Sequence, residues 1–290
     1  MAVVATGFFD GVHTGHRRVI MTLVSSARER EEEAVVVTFA NHPRAVLQQD
    51  ARSLRLLSSP EEKKEMLCAL GVDRVEILNF TREFAAMTAR EYLRDIVRGQ
   101  LCGSAVLLGY DNRLGSDNLQ PDEIRPVAES LGMDVVVIPP LMATETRAVS
   151  SSCIRQTLAS GDVEAAAAML GYEYSLRGVV VPGKQYGRVL GFPTANMQMY
   201  DPLKMIPAPG VYLTEVQTLG GRFYGMTNVG PVVETHIFDF SDDIYGLDLR
   251  VTFKKRLRDE RRFNSGEELK AQLANDEAAC RALVSGRPLL

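Results

Sequence analysis

Gly7-Phe8-Phe9-Asp10-Gly11-Val12-His13-Thr14-Gly15-His16 follows the short apolar run Ala2–Thr6 and leads into a helical stretch. Strand, glycine-rich turn and helix start, in that order, open a parallel α/β sheet, whose ligands lie at the carboxyl ends of the strands. Gly7 and Gly11 let the backbone bend close to a ligand. Gly15 and His16 fall where the helix begins, and free N–H groups and the dipole favour a phosphate there. Two imidazoles three residues apart can donate hydrogen bonds to phosphate oxygens as charge develops. Taken alone, the two histidines also fit an ordinary loop and helix start, or a metal pair with His42 as the further nearby candidate. The glycines and the placement favour nucleotide chemistry.

Outward from this segment the first half keeps an α/β rhythm. Residues 34–39, 72–78, 105–109 and 134–138 are β-branched or aliphatic runs suited to strands buried on both faces. Ser59-Pro60-Glu61-Glu62 is a capping box with proline at the first helical position, and that helix stops at Gly71. Thr88-Ala89-Arg90-Glu91 repeats the box before a helical pattern running through Val97, and Pro121 opens another helix ending at Gly132. Such a series predicts a parallel sheet with helices on both faces.

After about Gly171 prolines and glycines cluster between short alternating runs at 211–216, 222–229, 232–240 and 247–253. These predict antiparallel strands closing a barrel, followed by one charged amphipathic helix over 265–283. The junction is expected in 160–171. A length of 290 residues suits two domains. No run approaches ~18 apolar residues, so no transmembrane helix is expected. The apolar start lacks a basic flank, which argues against a secretory signal.

Net charge is −4, with −5 in residues 1–170 and +1 in the remainder, so neither half is a basic nucleic-acid module. Cys68, Cys102, Cys153 and Cys280 are far apart with no C-x-x-C pair and are expected as buried thiols of a reducing, cytoplasmic compartment. The nearest approach to a P-loop, from Gly178 to Lys184, continues with Gln185 in place of the Mg²⁺-binding hydroxyl, and its valines read as a strand.

Residues 183–196, Gly-Lys-Gln-Tyr-Gly-Arg-Val-Leu-Gly-Phe-Pro-Thr-Ala-Asn, carry three glycines, two cations and two oxygen donors. Glycine-lined loops expose N–H groups to phosphates, and a threonine hydroxyl with an asparagine carbonyl suits Mg²⁺. A barrel loop needing turns reads the same way. Glu234, in Val232-Val233-Glu234-Thr235-His236-Ile237-Phe238, interrupts a strand apolar on both faces, and from these residues alone water is the favoured neighbour. Ser150, Ser151 and Ser152 at a helix start, with Arg155 one turn in, form either an N-cap or an oxyanion clamp.

The first string, as G-x-F-D-G-x-H-x-G-H, resembles the nucleotidyl transferase module of bacterial bifunctional riboflavin kinase/FAD synthetases. Thr38-Phe39-Ala40-Asn41-His42-Pro43 is similar to the T-F-x-x-H-P segment of that family, and residues 149–155 are similar to its I-S-S-T-x-I-R segment. Residues 183–196 resemble the riboflavin kinase signature, and residues 234–240 its E-T-H-I-x-D-F strand. The resemblance spans nearly the whole chain. It implies an N-terminal doubly wound parallel-sheet nucleotidyl transferase domain, 1–170, and a small antiparallel β-barrel riboflavin kinase domain with a terminal helix, 171–290.

By that resemblance His13 and His16 serve adenylyl transfer, and Gly7, Phe9, Asp10, Gly11, His42, Asp111, Ser150, Ser151, Ser152 and Arg155 hold nucleotide or flavin. Gly183, Gly187 and Arg188 belong to the ATP loop of the kinase, Thr194 and Asn196 bind its Mg²⁺, and Arg258 and Phe263 lie on the flavin side. Glu234 becomes the base for a ribityl hydroxyl. His236 receives no role. The implied activity makes FMN from riboflavin and ATP, then FAD and pyrophosphate from FMN and ATP. ATP and the flavins are its small-molecule partners, and neither nucleic acid nor membrane is expected.

Two segments depart. Gly109-Tyr110-Asp111-Asn112-Arg113-Leu114-Gly115 lacks both phenylalanines of the family's G-x-D-F-x-F-G. Between Gly230 and Glu234 stand only Pro231, Val232 and Val233, where the family carries a longer loop with a Pro-Thr pair. Retention of one activity only, or a flavin-binding regulator built on a degenerate enzyme, are the alternatives these departures leave.

Overall fold

β1 (Ala2–Thr6) is buried along its whole length, as a strand covered on both faces must be. The computed structural model describes residues 1–47, 54–109, 112–138, 142–144, 147–183 and 185–285. By its backbone contacts the chain divides into two units, Met1–Ser151 and Ser152–Leu290.

In the first unit β1 lies between β2 (Glu33–Phe39) and β4 (Gly103–Gly109), with β3 (Arg74–Leu78) and β5 (Asp134–Ile138) outside them. All four pairings are parallel, in the order β3-β2-β1-β4-β5. The direction of winding reverses between β1 and β4, which opens a crevice at their carboxyl ends. The period of two along the strands builds two cores. Val3, Ala5, Val36 and Leu107 face α1 (Thr14–Glu29) and α3 (Pro60–Ala69), burying Ile20, Leu23 and Leu67. Val4, Val35, Val106 and Leu108 face the other way, onto Tyr92, Leu93, Val97 and Ile124. Each such aliphatic side chain contributes about 1.5–3 kcal/mol by leaving water.

Both capping boxes form as the spacing predicts. Glu62 N donates to Ser59 Oγ at 3.2 Å while Ser59 N donates to Glu62 Oε2 at 3.0 Å. The Thr88 box starts α5 (Ala89–Glu91), but the expected α-helix through Val97 continues as a π-helical run, Tyr92–Gln100, that ends with Leu101 N donating to Ile96 O at 3.0 Å. The wider turn brings Tyr92, Leu93 and Val97 together into the core. α2 (Pro43–Leu47), α4 (Arg82–Ala86), α6 (Pro121–Ser130) and the antiparallel pair β6 (Met142–Thr144) and β7 (Arg147–Ala148) complete this unit.

The second unit is a closed antiparallel barrel. Its strands are β8 (Ser175–Val181), β9 (Ala195–Met199), β10 (Gly210–Thr218), β11 (Gly221–Val229), β12 (Val233–Ile237) and β13 (Asp248–Arg258), in the order β10-β11-β12-β9-β8-β13. α7 (Ser151–Ala159) and α8 (Val163–Leu170) pack with it, for Ala208 N donates to Leu158 O at 2.9 Å and Lys255 pairs with Glu164 at 3.8 Å. Inside, the hydroxyls of Thr214, Thr227 and Thr235 form a buried chain with steps of 2.9 Å. α9 (Tyr186–Leu190) and β9 arise inside the 183–196 segment, where only a loop is expected. α10 (Gly266–Val284) closes one end, placing Cys280 among Phe192, Val211, Leu213 and Met226. Cys280 and Cys153 are buried as expected, whereas Cys68 and Cys102 are exposed, a correction that follows from their places at a helix end and just ahead of β4.

Candidate active sites

The loop after β1 turns sharply. Gly7 N donates to Val37 O at 3.0 Å, tying the loop to β2. Phe9, Gly11 and Val12 then take left-handed backbone, with Gly11 at φ 73°. Glycine accepts that conformation without a Cβ clash, so Gly11 is needed for the bend. At Gly7 the reason differs: a Cβ would press on the Phe9 ring at 2.9 Å. The Asp10 carboxylate is buried and accepts from Leu57 N at 2.8 Å and Ser58 N at 3.2 Å. Ser58 Oγ accepts from Gly11 N at 2.9 Å.

His13 is the N-cap of α1, its Nδ1 accepting from His16 N at 3.4 Å. That bond leaves the proton of the neutral ring on Nε2. The His13 and His16 rings stack at 3.6 Å, and a Cβ on Gly15 would stand 3.2 Å from the His13 ring. Burial pushes His13 down to about 4. Burial also holds His16 well below the usual histidine range, reinforced by His13 and by Lys63. Each neutral imidazole keeps one N–H and so can donate one hydrogen bond to an anion at this helix N-terminus. His16 Nδ1 is buried with no hydrogen-bond partner among the described residues, an arrangement native structures seldom keep without a use.

The neutral state of His13 carries a pH dependence. Unfolded, it titrates near 6.5, and folded at about 4. Between those values the unfolded chain binds more protons, so stability rises with pH and is lost as pH falls from 6.5 toward 4. The full difference is on the order of 3 kcal/mol. His13→Asn keeps a cap acceptor and removes the titration. Thermal unfolding of the first unit across that window should then vary less with pH than in wild type, and an unchanged slope would exclude a buried neutral His13.

Ser151 Oγ donates to Asp10 O at 3.0 Å, so the serine run does reach the loop. Ser150 is exposed beside it. In the second unit Arg155 donates to Ser152 Oγ at 3.1 Å. The His42 ring meets the edge of Phe8 at 4.5 Å, and its Nδ1 accepts from Arg44 N at 3.0 Å. Asp111 lies outside the described residues; its neighbour Asn112 donates to Thr6 O at 3.2 Å, and Leu114 is buried in the core. One residue of this region escapes sequence reasoning. Lys63 is fully buried, although Glu61-Glu62-Lys63-Lys64 reads as a solvated helix face. The one available signal is its place on α3, four residues after the cap Ser59 and next to the buried Glu62.

In the barrel two cavities, of about 350 and 370 Å³, share Thr194. β12 alternates, with Val233, Thr235 and Ile237 buried and Glu234 and His236 half-buried, lining the first cavity with Arg258 and Phe263. Of the two alternatives for Glu234, water or a site, the half-buried carboxylate faces a cavity that is open to solvent. Glu234 is paired with Asn228 on β11 and Asn196 on β9. Arg258 forks onto the buried Asp276 of α10, with bonds of 2.7 to 3.0 Å, and its guanidinium sits 5.8 Å from the Phe263 ring. Arg188 lines the second cavity with Asp243 and Tyr245.

The glycines here make room for the oxygen donors. A Cβ on Gly183 would collide with the amide of Asn196, and one on Gly187 with the Phe192 carbonyl beside Thr194. His236, to which the sequence assigns no role, donates from Nδ1 to Pro193 O at 2.8 Å and so steadies the residue before Thr194. The short connection after β11 is a tight turn, with Val229 paired to Val233 and Gly230 N donating to Val232 O at 3.2 Å.

Residues 1–153 match a family model described as FAD synthetase, and residues 170–284 match one described as riboflavin kinase. A bifunctional riboflavin kinase/FMN adenylyltransferase of Bacillus subtilis is 32% identical over 293 residues, covering 95% of this chain and 90% of its own. That of Escherichia coli K12 is 34% identical over 291 residues, covering 96% and 91%. A crystal structure from Streptococcus pneumoniae, named a macrolide-efflux protein, superposes with a TM-score of 0.90 at 31% identity, covering 97% of this chain and 93% of its own. Efflux is that protein's name alone, and among the described residues here no helix is long and apolar enough to cross a membrane.

Proposed function

Because the chain belongs to the family of bifunctional riboflavin kinase/FMN adenylyltransferases, we propose that its two reactions run in two separate sites, adenylyl transfer in residues 1–170 and riboflavin phosphorylation in residues 171–290. The enzyme phosphorylates riboflavin with ATP to FMN, and adenylylates FMN with a second ATP to FAD and pyrophosphate.

The meeting of two cavities at Thr194, with Glu234 in one and Arg188 in the other, is the observation that supports the barrel site most. Riboflavin would occupy the Glu234 side, against Phe263 and Arg258, and the nucleotide the Arg188 side; Gly187 lines the Glu234 cavity, so the ATP loop that begins at Gly183 would run between the two. The donor set fits Mg²⁺: the Thr194 hydroxyl and Asn196 carbonyl are hard oxygens, held close by glycines that cannot carry a side chain without collision. Thr194 and Asn196 would hold the ion, which when bound neutralises charge on the transferring phosphoryl. Glu234 accepts the proton of the ribityl 5′-hydroxyl as its oxygen bonds to the γ-phosphorus and ADP leaves.

In the first unit an FMN phosphate oxygen bonds to the α-phosphorus of ATP and the bond to pyrophosphate breaks. His13, His16 and the N-terminus of α1 donate to the phosphate oxygens as their charge grows. Gly7, Phe9, Asp10, Gly11 and His42 shape the loop that receives the nucleotide. Ser150 and Ser151 hold phosphates, and Asp111 is the candidate for a flavin or nucleotide contact. Positioning and charge neutralisation suffice for both displacements, so no covalent enzyme intermediate is needed. Free thiols at all four cysteines are consistent with a cytoplasmic setting.

Incubation with riboflavin, ATP and Mg²⁺, followed by chromatographic separation of flavins, should yield FMN and then FAD. Absence of flavin turnover would sink the reading. FMN as sole flavin separates a two-activity enzyme from a kinase alone, and flavin binding without turnover would mark a regulator.

A further inference from the structure

We propose that Lys63 is a positioning residue for adenylyl transfer, its ammonium holding the loop at 7–16 in shape from beneath and keeping a positive charge under the phosphate-binding turn. The inference rests on the reading of the first unit as the adenylyl-transfer site. Lys63 is 1% exposed, on the first turn of α3. Its Nζ donates to Thr38 Oγ1 at 3.2 Å and to Phe39 O at 3.1 Å, both at the carboxyl end of β2. The same nitrogen lies 3.9 Å from the centre of the Phe8 ring, a cation–π contact in a site closed to water.

These contacts form a relay with a defined direction. The ammonium can only donate, so the Thr38 hydroxyl accepts from it and turns its own proton to Phe8 O, at 3.1 Å. The Phe8 ring then meets His42 edge-on at 4.5 Å. On its other side Lys63 is attracted by Asp10, whose carboxylate gathers the amides of Leu57 and Ser58. One buried charge thus links the loop after β1, the end of β2 and the entry to α3. The first of these segments runs on into the stacked His13 and His16.

A buried ammonium is costly, and a methionine of similar length would fill the same space without that cost. Retention of the charge beside a cleft is the pattern of a functional site. Burial lowers Lys63 to about 8 against the pull of Asp10, so most of it stays charged at neutral pH. The same charge helps to keep His16 neutral. The phosphates approach a loop whose carbonyl at Phe8 is tied down and whose floor is positive. Loosening that floor shifts the loop, and a misplacement on the order of 1 Å costs roughly 10²-fold in rate.

Lys63→Met in the full chain tests this. The kcat for FMN to FAD should fall about 10²-fold, with the KM for FMN nearly unchanged and riboflavin phosphorylation by the same chain as in wild type. Binding of inorganic pyrophosphate, followed by calorimetry, should weaken about tenfold. Thr38→Val breaks the relay without removing the charge, and should lower kcat where Thr38→Ser restores it. These two variants decide the matter if Lys63→Met does not fold. A kcat of folded Lys63→Met close to wild type, with only its melting temperature lowered, would reduce Lys63 to a structural part and overturn the proposal. So would Thr38→Val and Thr38→Ser behaving alike. Wild type forming FAD while Lys63→Met is unaltered removes this inference alone, whereas wild type forming no FAD removes the reading beneath it as well.

Discussion

His16→Ala is expected to lower FAD formation from FMN and ATP by about 10²–10³-fold, while riboflavin phosphorylation by the same chain is untouched. The size follows from removing one preorganised donor at the point where charge develops. The His16 ring lies against His13 at 3.6 Å, at the start of α1. The substitution leaves the helix entry intact, because the bond to His13 Nδ1 comes from the backbone nitrogen of residue 16 and survives the loss of the ring. Alanine is also a good helix former. Loss of rate therefore reports chemistry rather than folding. Separate assays with riboflavin and with FMN as substrate check it, and equal loss of both activities would contradict the division of labour between the units.

Glu234→Gln should do the reverse, lowering FMN formation from riboflavin by about 10²–10⁴-fold while supplied FMN still becomes FAD. Glutamine has the shape of glutamate and can stay between Asn228 and Asn196, so the barrel pairing persists. What disappears is the carboxylate able to take the proton of the attacking hydroxyl. A position filled only for packing would tolerate the change, since surface substitutions rarely matter beyond about 0.5 kcal/mol. Full kinase activity in Glu234→Gln, measured by chromatography of flavins, would remove Glu234 from the reaction.

Much of the fold was readable because its causes are local. Ser59 with Glu62, and Thr88 with Glu91, start helices through bonds made within four residues, and those bonds are present. Continuous aliphatic runs in β1 and β2 announced strands buried on both faces. The barrel was harder. β9 begins at Ala195, inside a segment whose glycines and proline read as a loop, and it becomes a strand only by pairing with β8 and β12. The π-helical run after Thr88 depends on what the core accepts at Tyr92, Leu93 and Val97, and periodicity does not carry that information.

The residues of the candidate sites divide along the same line. His13, His16, Gly11, Thr194 and Asn196 stand in short motifs whose chemistry is visible in the order of residues. Chain order alone marked out two architectures, a helix start preceded by a glycine turn and two histidines, and oxygen donors set among glycines. Tertiary structure decided which way Glu234 faces, because the alternation of β12 is fixed by what fills the barrel and not by the apolar neighbours of the carboxylate. It also decided that Lys63 is buried, through contacts with Thr38, Phe39 and Phe8 that lie 24 or more residues away in sequence. The physical reason is one of range. Capping, turns and dipoles act within a few residues and can be read along the chain, whereas burial and electrostatic coupling depend on distance in space, which only the folded chain sets.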